Sequence, residues 1–290
     1  MAAPLLVVDT PSLLYRAFFA LPKSIKGSDG KPVNALLGTA NMLLAAVADY
    51  SPRAVVCCFG AEAGAYRVEA FPAYHADRPA MEPELERQWQ LAPEFFAACG
   101  WSSLDGGALE ADDLLGSLAQ LESEAGGATI IFSGDRDMFQ CASKLVTVLY
   151  PARGGPQLIG PAEVRARSGV EPRQIPDLIA LRGDPSDGIP GAKGIGEKGA
   201  ALLLDQYGSL EAVLAAAKDS ASAITPRTRA ALSDDPELLR SFKEVATLQP
   251  IKLKRPQDAP LDAGRGALAA RKLGMNRLAE RIEKAGAATA

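Results

Sequence analysis

The chain has a single histidine, His75, and four cysteines, Cys57, Cys58, Cys99 and Cys141, with no C-x-x-C pair among them. So little imidazole argues against a histidine-based hydrolase triad, and the cysteine spacing argues against a zinc finger or ribbon. Two of the thiols are adjacent inside an apolar run, which reads as buried side chains in a reducing compartment. Long hydrophobic runs are missing as well. The longest weakly polar stretch, 35–48, is broken by Thr39 and Asn41 before it reaches the roughly 20 residues a membrane span needs. No basic stretch precedes an apolar one at Met1-Ala2-Ala3-Pro4-Leu5, so no secretory leader is expected and the chain is assigned to the cytoplasm, away from membranes. Catalysis must then rest on carboxylates, lysines, hydroxyls or bound ions.

What is present fits a folded chain. Over 290 positions, 48% are hydrophobic and 23% charged, a composition and length for about two domains or one large one. Leu5-Leu6-Val7-Val8, 54–59, 128–133 and 145–150 are short apolar runs separated by helix-length segments, the pattern of an α/β fold with a parallel sheet buried on both faces. From Pro161 onward strand signals vanish, and short helices punctuated by Gly and Pro are predicted at 176–181, 199–206, 209–217 and 236–247. The expected division is an α/β part over 1–165 and a helical part over 166–290. Between the second and third strands, 71–101 carries Pro72, Pro79, Pro83 and Pro93, as a functional excursion from a sheet would.

Eight acids stand where such a fold places its chemistry. Asp9 ends the first strand, Asp135 and Asp137 follow the third, and Glu110-Ala111-Asp112-Asp113 opens a helix. Asp184 and Asp187 lie in a turn-rich loop of the helical part. Taken singly, each subset also reads as turn residues or helix caps. Taken together, carboxylates converging on one sheet edge repel, and bound cations would stabilise them. Oxygen-only donors select hard ions, Mg²⁺ or Mn²⁺, and two such ions about 4 Å apart are the arrangement that hydrolyses phosphodiesters. The net charge of 31 − 35 = −4 does not oppose this, because without the eight acids the balance is 31 − 27 = +4.

Gly194-Ile195-Gly196-Glu197-Lys198-Gly199 matches the dinucleotide fingerprint in spacing, but no strand precedes it. It reads instead as a helix-hairpin-helix over about 184–206, with free backbone N–H groups at Gly194 and Gly196 and with Lys193 and Lys198 to hold a phosphodiester backbone. A plain helix–turn–helix connection fits the same spacing.

The segments Val8-Asp9-Thr10-Pro11-Ser12-Leu13-Leu14-Tyr15-Arg16-Ala17, Glu110-Ala111-Asp112-Asp113, Ser133-Gly134-Asp135-Arg136-Asp137 and Arg182-Gly183-Asp184-Pro185-Ser186-Asp187-Gly188-Ile189-Pro190-Gly191 resemble, in content and order, the 5′-nuclease domain of bacterial DNA polymerase I and the flap endonucleases. The resemblance covers about 5–250. It implies a PIN-like nuclease core, a helical arch over 71–101 threaded by a 5′ single strand, and a helix-three-turn-helix element that binds duplex DNA and a potassium ion. It also implies that Asp9, Glu110, Asp112, Asp113 and Asp135 serve one metal and Asp135, Asp137, Asp184 and Asp187 a second, with Tyr15 and Arg16 near the unpaired DNA end. About 40 residues follow Pro250, so a stand-alone, monomeric nuclease is expected.

Two positions depart from the family pattern. Gly60 stands where the family has an aspartate at the end of the second strand, and Glu62 is a candidate replacement. His75 stands where the family has a lysine, three residues before Arg78, leaving Arg78 as the main cation and His75 as a weaker helper at the scissile phosphate. The expected activity is a structure-dependent 5′-3′ exonuclease and flap endonuclease acting on 5′ ends, flaps and duplex–single-strand junctions. A flap- or junction-binding protein with weakened catalysis is the alternative.

Overall fold

The computed structural model describes residues 3–289. The first strand, β1 (Leu5–Asp9), is buried over its whole length, and Asp9 caps the helix α1 (Thr10–Ala20) that follows, accepting the Ser12 N–H. Then come α2 (Asn34–Tyr50), β2 (Ala54–Phe59), α3 (Ala65–Ala70), α4 (Pro83–Ala98), β3 (Ser102–Asp105), α5 (Ala111–Glu124), β4 (Thr129–Phe132), β5 (Val146–Ala152) and β6 (Gly155–Ile159). The six strands form one sheet in the order β3-β2-β1-β4-β5-β6, parallel except for β6.

The α/β sheet expectation holds, with two additions. β3 reads Ser-Ser-Leu-Asp and β6 lies exposed at the sheet edge, so neither carries the apolar run that marks a doubly buried strand. The strand order turns back between β1 and β4, and this opens a crevice beyond their carboxyl ends. Asp9 leads into that crevice from β1, and the turn bearing Asp135 and Asp137 leads into it from β4.

Side-chain alternation along β1 sends Leu5 and Val7 to one face and Leu6 and Val8 to the other. The first face packs α5 and the helical half: α6 (Pro161–Ser168), α7 (Ile175–Arg182), α8 (Glu197–Tyr207), α9 (Leu210–Lys218), α10 (Pro226–Asp234) and α11 (Pro236–Ala246). The second packs α1, α2 and α4, and is closed by a last hairpin, α12 (Ala263–Lys272) and α13 (Asn276–Thr289). The helices after residue 262 therefore cover this second face of the sheet, through Ala267, Ala270, Leu278 and Ile282, and do not extend the helical part expected over 166–290. The chain reaches them along an extended strap. There Arg53 and Arg255 converge on the buried carboxylate of Glu122, and Arg53 also donates to the Pro256 carbonyl.

Cys57, Cys58 and Cys99 are buried, Cys141 is half-buried, and all four are free thiols. Among the described residues no helix is long and apolar enough to cross a membrane.

Candidate active site

A cavity of about 1060 Å³ opens over the carboxyl ends of β1 and β4, between the sheet and the helical half. Seven of the eight acids singled out from sequence line it: Asp9, Glu110, Asp112, Asp135, Asp137, Asp184 and Asp187.

Asp9 is 3% exposed and accepts from Ser133 Oγ at 2.5 Å and from the Ser12 N–H at 3.1 Å. Asp135 accepts the Asp137 N–H at 2.8 Å while its own N–H donates to Ser133 Oγ, so the turn after β4 is folded around one hydroxyl. Burial raises the proton affinity of Asp9, with the Glu110 charge adding to it. Burial together with Asp9 and Asp135 holds Asp112 well above the ordinary carboxylate range. Asp135 is pushed up to about 7 by burial and by Asp187, Asp9 and Asp184. Asp137 is raised by burial and by Asp135, Asp187 and Asp184. These causes form a closed set of mutually repelling carboxylates spanning both halves of the molecule.

The eighth acid is a correction. Asp113 is fully buried and does not line the cavity; it accepts from Tyr66 Oη at 3.0 Å, Arg67 Nη2 at 3.2 Å and the Gln249 N–H at 2.8 Å. Successive helix residues point about 100° apart, and here Asp112 turns to the cavity and Asp113 to Arg67. Asp113 is the buried partner of Arg67. Arg67 in turn pairs with Glu110 at 2.9 Å and donates to the Val245 carbonyl, joining α3, α5 and α11. No local sequence signal marks Arg67, because its three partners lie 43, 46 and 178 residues away.

The arch is also shorter than expected. From Pro83 onward the chain is the core helix α4, with Leu85, Phe95 and Phe96 buried and Gln88 accepting the Ala35 N–H. The segment 61–82 passes over the cavity and carries Glu62, Tyr74, His75 and Arg78 into the lining, while α4 contributes Trp89. Glu62 accepts from Tyr15 Oη at 2.9 Å. Arg78 is exposed and reaches the Glu62 carbonyl at 3.3 Å. The two ring nitrogens of His75 face the Glu62 carbonyl at 2.8 Å and Asp187 Oδ1 at 3.0 Å. Neither is left to meet a phosphate, which corrects its assignment as an electrophilic helper.

At Gly60, a Cβ would fall 2.4 Å from the Leu109 carbonyl and 2.7 Å from the Ala111 nitrogen. The loop before α5 occupies the space an aspartate side chain would need.

Opposite the acids the cavity is aromatic. Tyr15 stacks on Phe19 at 6.3 Å and meets Trp89 edge-on, and Phe19 is 66% exposed. Phe19 lies four residues after Tyr15 on α1, so helical spacing was the signal that could have found it. Arg16 lies at the same rim, its guanidinium beside the Gly134 turn. Arg182, the residue opening the last acidic motif, lines the cavity between Asp184 and Glu197.

The hairpin joins α7 to α8 next to this wall. Ile195 is buried and anchors the turn, while Lys193, Gly194, Gly196 and Lys198 are exposed. Gly194 has φ +79°, a conformation that favours glycine. Gly196 starts α8 without a side-chain cap, which leaves the first backbone N–H groups open. The Arg227 guanidinium of α10 lies against Gly194, a cation that the motif itself does not contain.

Among the described residues, no three acidic, histidine or cysteine groups close on one point as a ligand set. Asp9, Glu110, Asp135, Asp184 and Asp187 are turned onto donors of the protein itself. Their chemistry nonetheless suits hard divalent cations: oxygen donors only, several of them held in a state that added positive charge would relieve.

Comparison with known proteins agrees with this geometry. The model of the 5′-3′ exonuclease N-terminal resolvase-like domain matches residues 4–169, and that of the 5′-3′ exonuclease C-terminal SAM fold matches 170–262. A 5′-3′ exonuclease of Mycobacterium tuberculosis is 34% identical, over 98% of each chain. The thermostable DNA polymerase I of Thermus thermophilus is 42% identical over 72% of this chain. The chain spans about a quarter of the length of the DNA polymerase I relatives it matches. Among solved structures, the T5 D15 flap endonuclease in a pseudo-enzyme-product complex with DNA and metal ions superposes with a TM-score of 0.69 at 17% identity, covering 98% of both chains. With its two halves matched by the paired domains and its full length by a curated relative, the chain belongs to the 5′-3′ exonuclease family.

Proposed function

We propose that the chain hydrolyses DNA phosphodiesters at 5′ ends and flap junctions, using two divalent cations, Mg²⁺ or Mn²⁺. The observation that carries this reading is the set of mutually repelling carboxylates Asp9, Asp112, Asp135 and Asp137 in one cavity that also holds Asp184 and Asp187. Asp9, Glu110 and Asp112 would hold one ion, Asp137, Asp184 and Asp187 the other, with Asp135 between them. Bound there, the ions supply Lewis acidity to the attacking water and to the leaving oxygen of the phosphodiester.

The remaining groups act on the DNA. Arg78, exposed at the cavity mouth, neutralises charge on the phosphate. Arg16 sits at the rim where the backbone of an entering strand would run. The wall of Tyr15, Phe19 and Trp89 offers flat faces to unpaired bases, which duplex DNA would not expose. Lys193, Lys198 and the open N–H groups at Gly194 and Gly196 hold the duplex by its backbone, without reading sequence.

The test is cleavage of a 5′-flap duplex by wild type and by Asp135→Ala, with Mg²⁺, with Mn²⁺ and with chelator. Wild type is expected to cut only with a divalent ion, and Asp135→Ala to be slower by about 10³-fold or more, the scale of losing a group central to transition-state charge. Equal rates would end the nuclease reading. Tight, salt-sensitive flap binding without turnover by wild type would favour the binding-protein alternative.

A further inference from the structure

His75 and Tyr74 stand back to back on the span over the cavity, their rings stacked 3.9 Å apart at 19°. Each reaches a different acidic group. Tyr74 Oη donates to Glu110 Oε2 at 3.1 Å, on the sheet side. His75 Nε2 faces Asp187 Oδ1 at 3.0 Å on the helical side, and the His75 backbone N–H donates to the Asp187 carbonyl at 3.4 Å. The His75 side chain is 5% exposed, although it sits on a loop. Its other nitrogen faces the Glu62 carbonyl at 2.8 Å, which accepts only. The ring thus spans a fixed distance between a backbone carbonyl and a carboxylate, two acceptors that it holds together with an N–H on each nitrogen, as the imidazolium. The backbone at His75 is left-handed, φ +54°, a conformation a non-glycine residue keeps when its surroundings over-determine it. The two loops touch elsewhere too, for a Cβ on Gly188 would lie 3.1 Å from the Ala73 carbonyl.

We propose that His75 is a positioning residue for Asp187. By holding Oδ1, the ring leaves Oδ2 aimed for the cation of the helical side, and the ring itself does not touch the scissile phosphate. The assignment rests on the nuclease reading and deepens it by naming what sets the affinity of the second cation site. A lysine at this position would place one mobile ammonium in the cavity, whereas the histidine ring places two opposed, fixed nitrogens. Donors that orient a ligating carboxylate typically alter metal affinity 10- to 100-fold when removed.

The experiment adds Mn²⁺ to the full chain without DNA and counts bound ions by calorimetry or by the paramagnetic resonance of free Mn²⁺. Wild type is expected to bind two ions. His75→Ala should weaken one of them by about 10- to 100-fold, and His75→Gln, which keeps an N–H donor, should recover part of the loss. In an Asp187→Asn background His75→Ala should add nothing, because the group it positions is already altered. Isotherms that superimpose for wild type and His75→Ala overturn the proposal, as does tighter binding by His75→Ala or an undiminished effect in the Asp187→Asn background. A His75→Ala chain that loses cleavage while keeping both affinities also overturns it, and places the ring on the phosphate. If wild type binds no divalent ion, the nuclease reading itself falls, and the proposal with it.

Discussion

The two walls of the cavity hold their carboxylates in opposite ways. On the sheet side, Asp9, Asp112, Asp135 and Asp137 sit at strand ends and a helix start, on backbone the core keeps rigid, and there burial and the carboxylates of both walls outweigh the donors that Asp9 and Asp135 have. On the helical side, Asp184 and Asp187 lie in a turn where each has its own donors. Asp184 accepts from the Ser186 N–H and hydroxyl and lies 3.7 Å from Arg182, and Asp187 faces His75. Repulsion is thus concentrated on the sheet side, and compensation in the turn of the helical side. A wall in need of positive charge, facing one whose carboxylates have donors of their own, is suited to capturing cations.

Two adjacent acids on α5 differ most in what their loss should do. Asp113→Ala removes the buried partner of Arg67 and frees the Tyr66 hydroxyl and the Gln249 N–H. Arg67 keeps Glu110, but losing one of its two carboxylates and leaving the Tyr66 hydroxyl and the Gln249 N–H without their acceptor costs about 3–5 kcal/mol, a fall in melting temperature on the order of 10 °C. Asp112→Asn instead relieves repulsion, so in chelator it should melt at or above the wild-type temperature while cleavage falls by about 10³-fold. Melting curves with and without divalent ions check both. An Asp113→Ala chain that melts normally yet loses cation binding would return Asp113 to the ligand set.

That pair also shows what could be read in the sequence. The apolar runs at β1, β2, β4 and β5 announced themselves because strands buried on both faces leave an unbroken hydrophobic signature. Asp9 and Asp135 were marked by standing at the ends of such runs. Asp112 and Asp113 were equally marked as a helix start, yet one residue of offset turns Asp112 to the cavity and Asp113 to Arg67, and choosing between them requires knowing where Arg67 lies. The arch was overextended for a similar reason. Prolines at 83 and 93 suggested an excursion, but Pro83 opens α4, where the first turn tolerates proline, and Pro93 lies within the same helix. His75 was recognisable as a departure, whereas its two partners, 13 and 112 residues away, were not.

The repulsion on the sheet side also makes stability depend on pH. Asp135 has a folded-state pKa of about 7, above the ordinary value of 3.8. Between those values the folded chain binds the proton more tightly than the unfolded chain does, so stability falls as pH rises through this window and levels off above it. Each tenfold difference in proton affinity is about 1.4 kcal/mol; with solvent reaching the cavity, an overall loss on the order of 2 kcal/mol is expected. Melting temperature in chelator should therefore decline from pH 5 to 7.5, and saturating Mn²⁺ at pH 7.5 should restore it. A metal-free chain whose stability rises steadily across this range would mean that the sheet-side wall is not under repulsion.

The smallest effect concerns Gly60, on the same rigid wall. Its neighbours in the acidic cluster invite the idea that an aspartate there would complete the set and raise activity. The backbone argues otherwise: a Cβ would meet the Leu109 carbonyl at 2.4 Å and the Ala111 nitrogen at 2.7 Å, both main-chain atoms at the approach to α5. Relieving that overlap must shift the helix start that carries Glu110 and Asp112, so Gly60→Asp should lower stability by about 1–3 kcal/mol and leave cleavage at or below the wild-type rate. Gly60→Ala, which adds the same Cβ without a carboxylate, separates the two effects: if overlap dominates, both variants melt early and cut slowly. A Gly60→Asp chain that cuts faster than wild type would show that the wall yields, and that its carboxylates are set by ligation more than by the rigidity of the sheet.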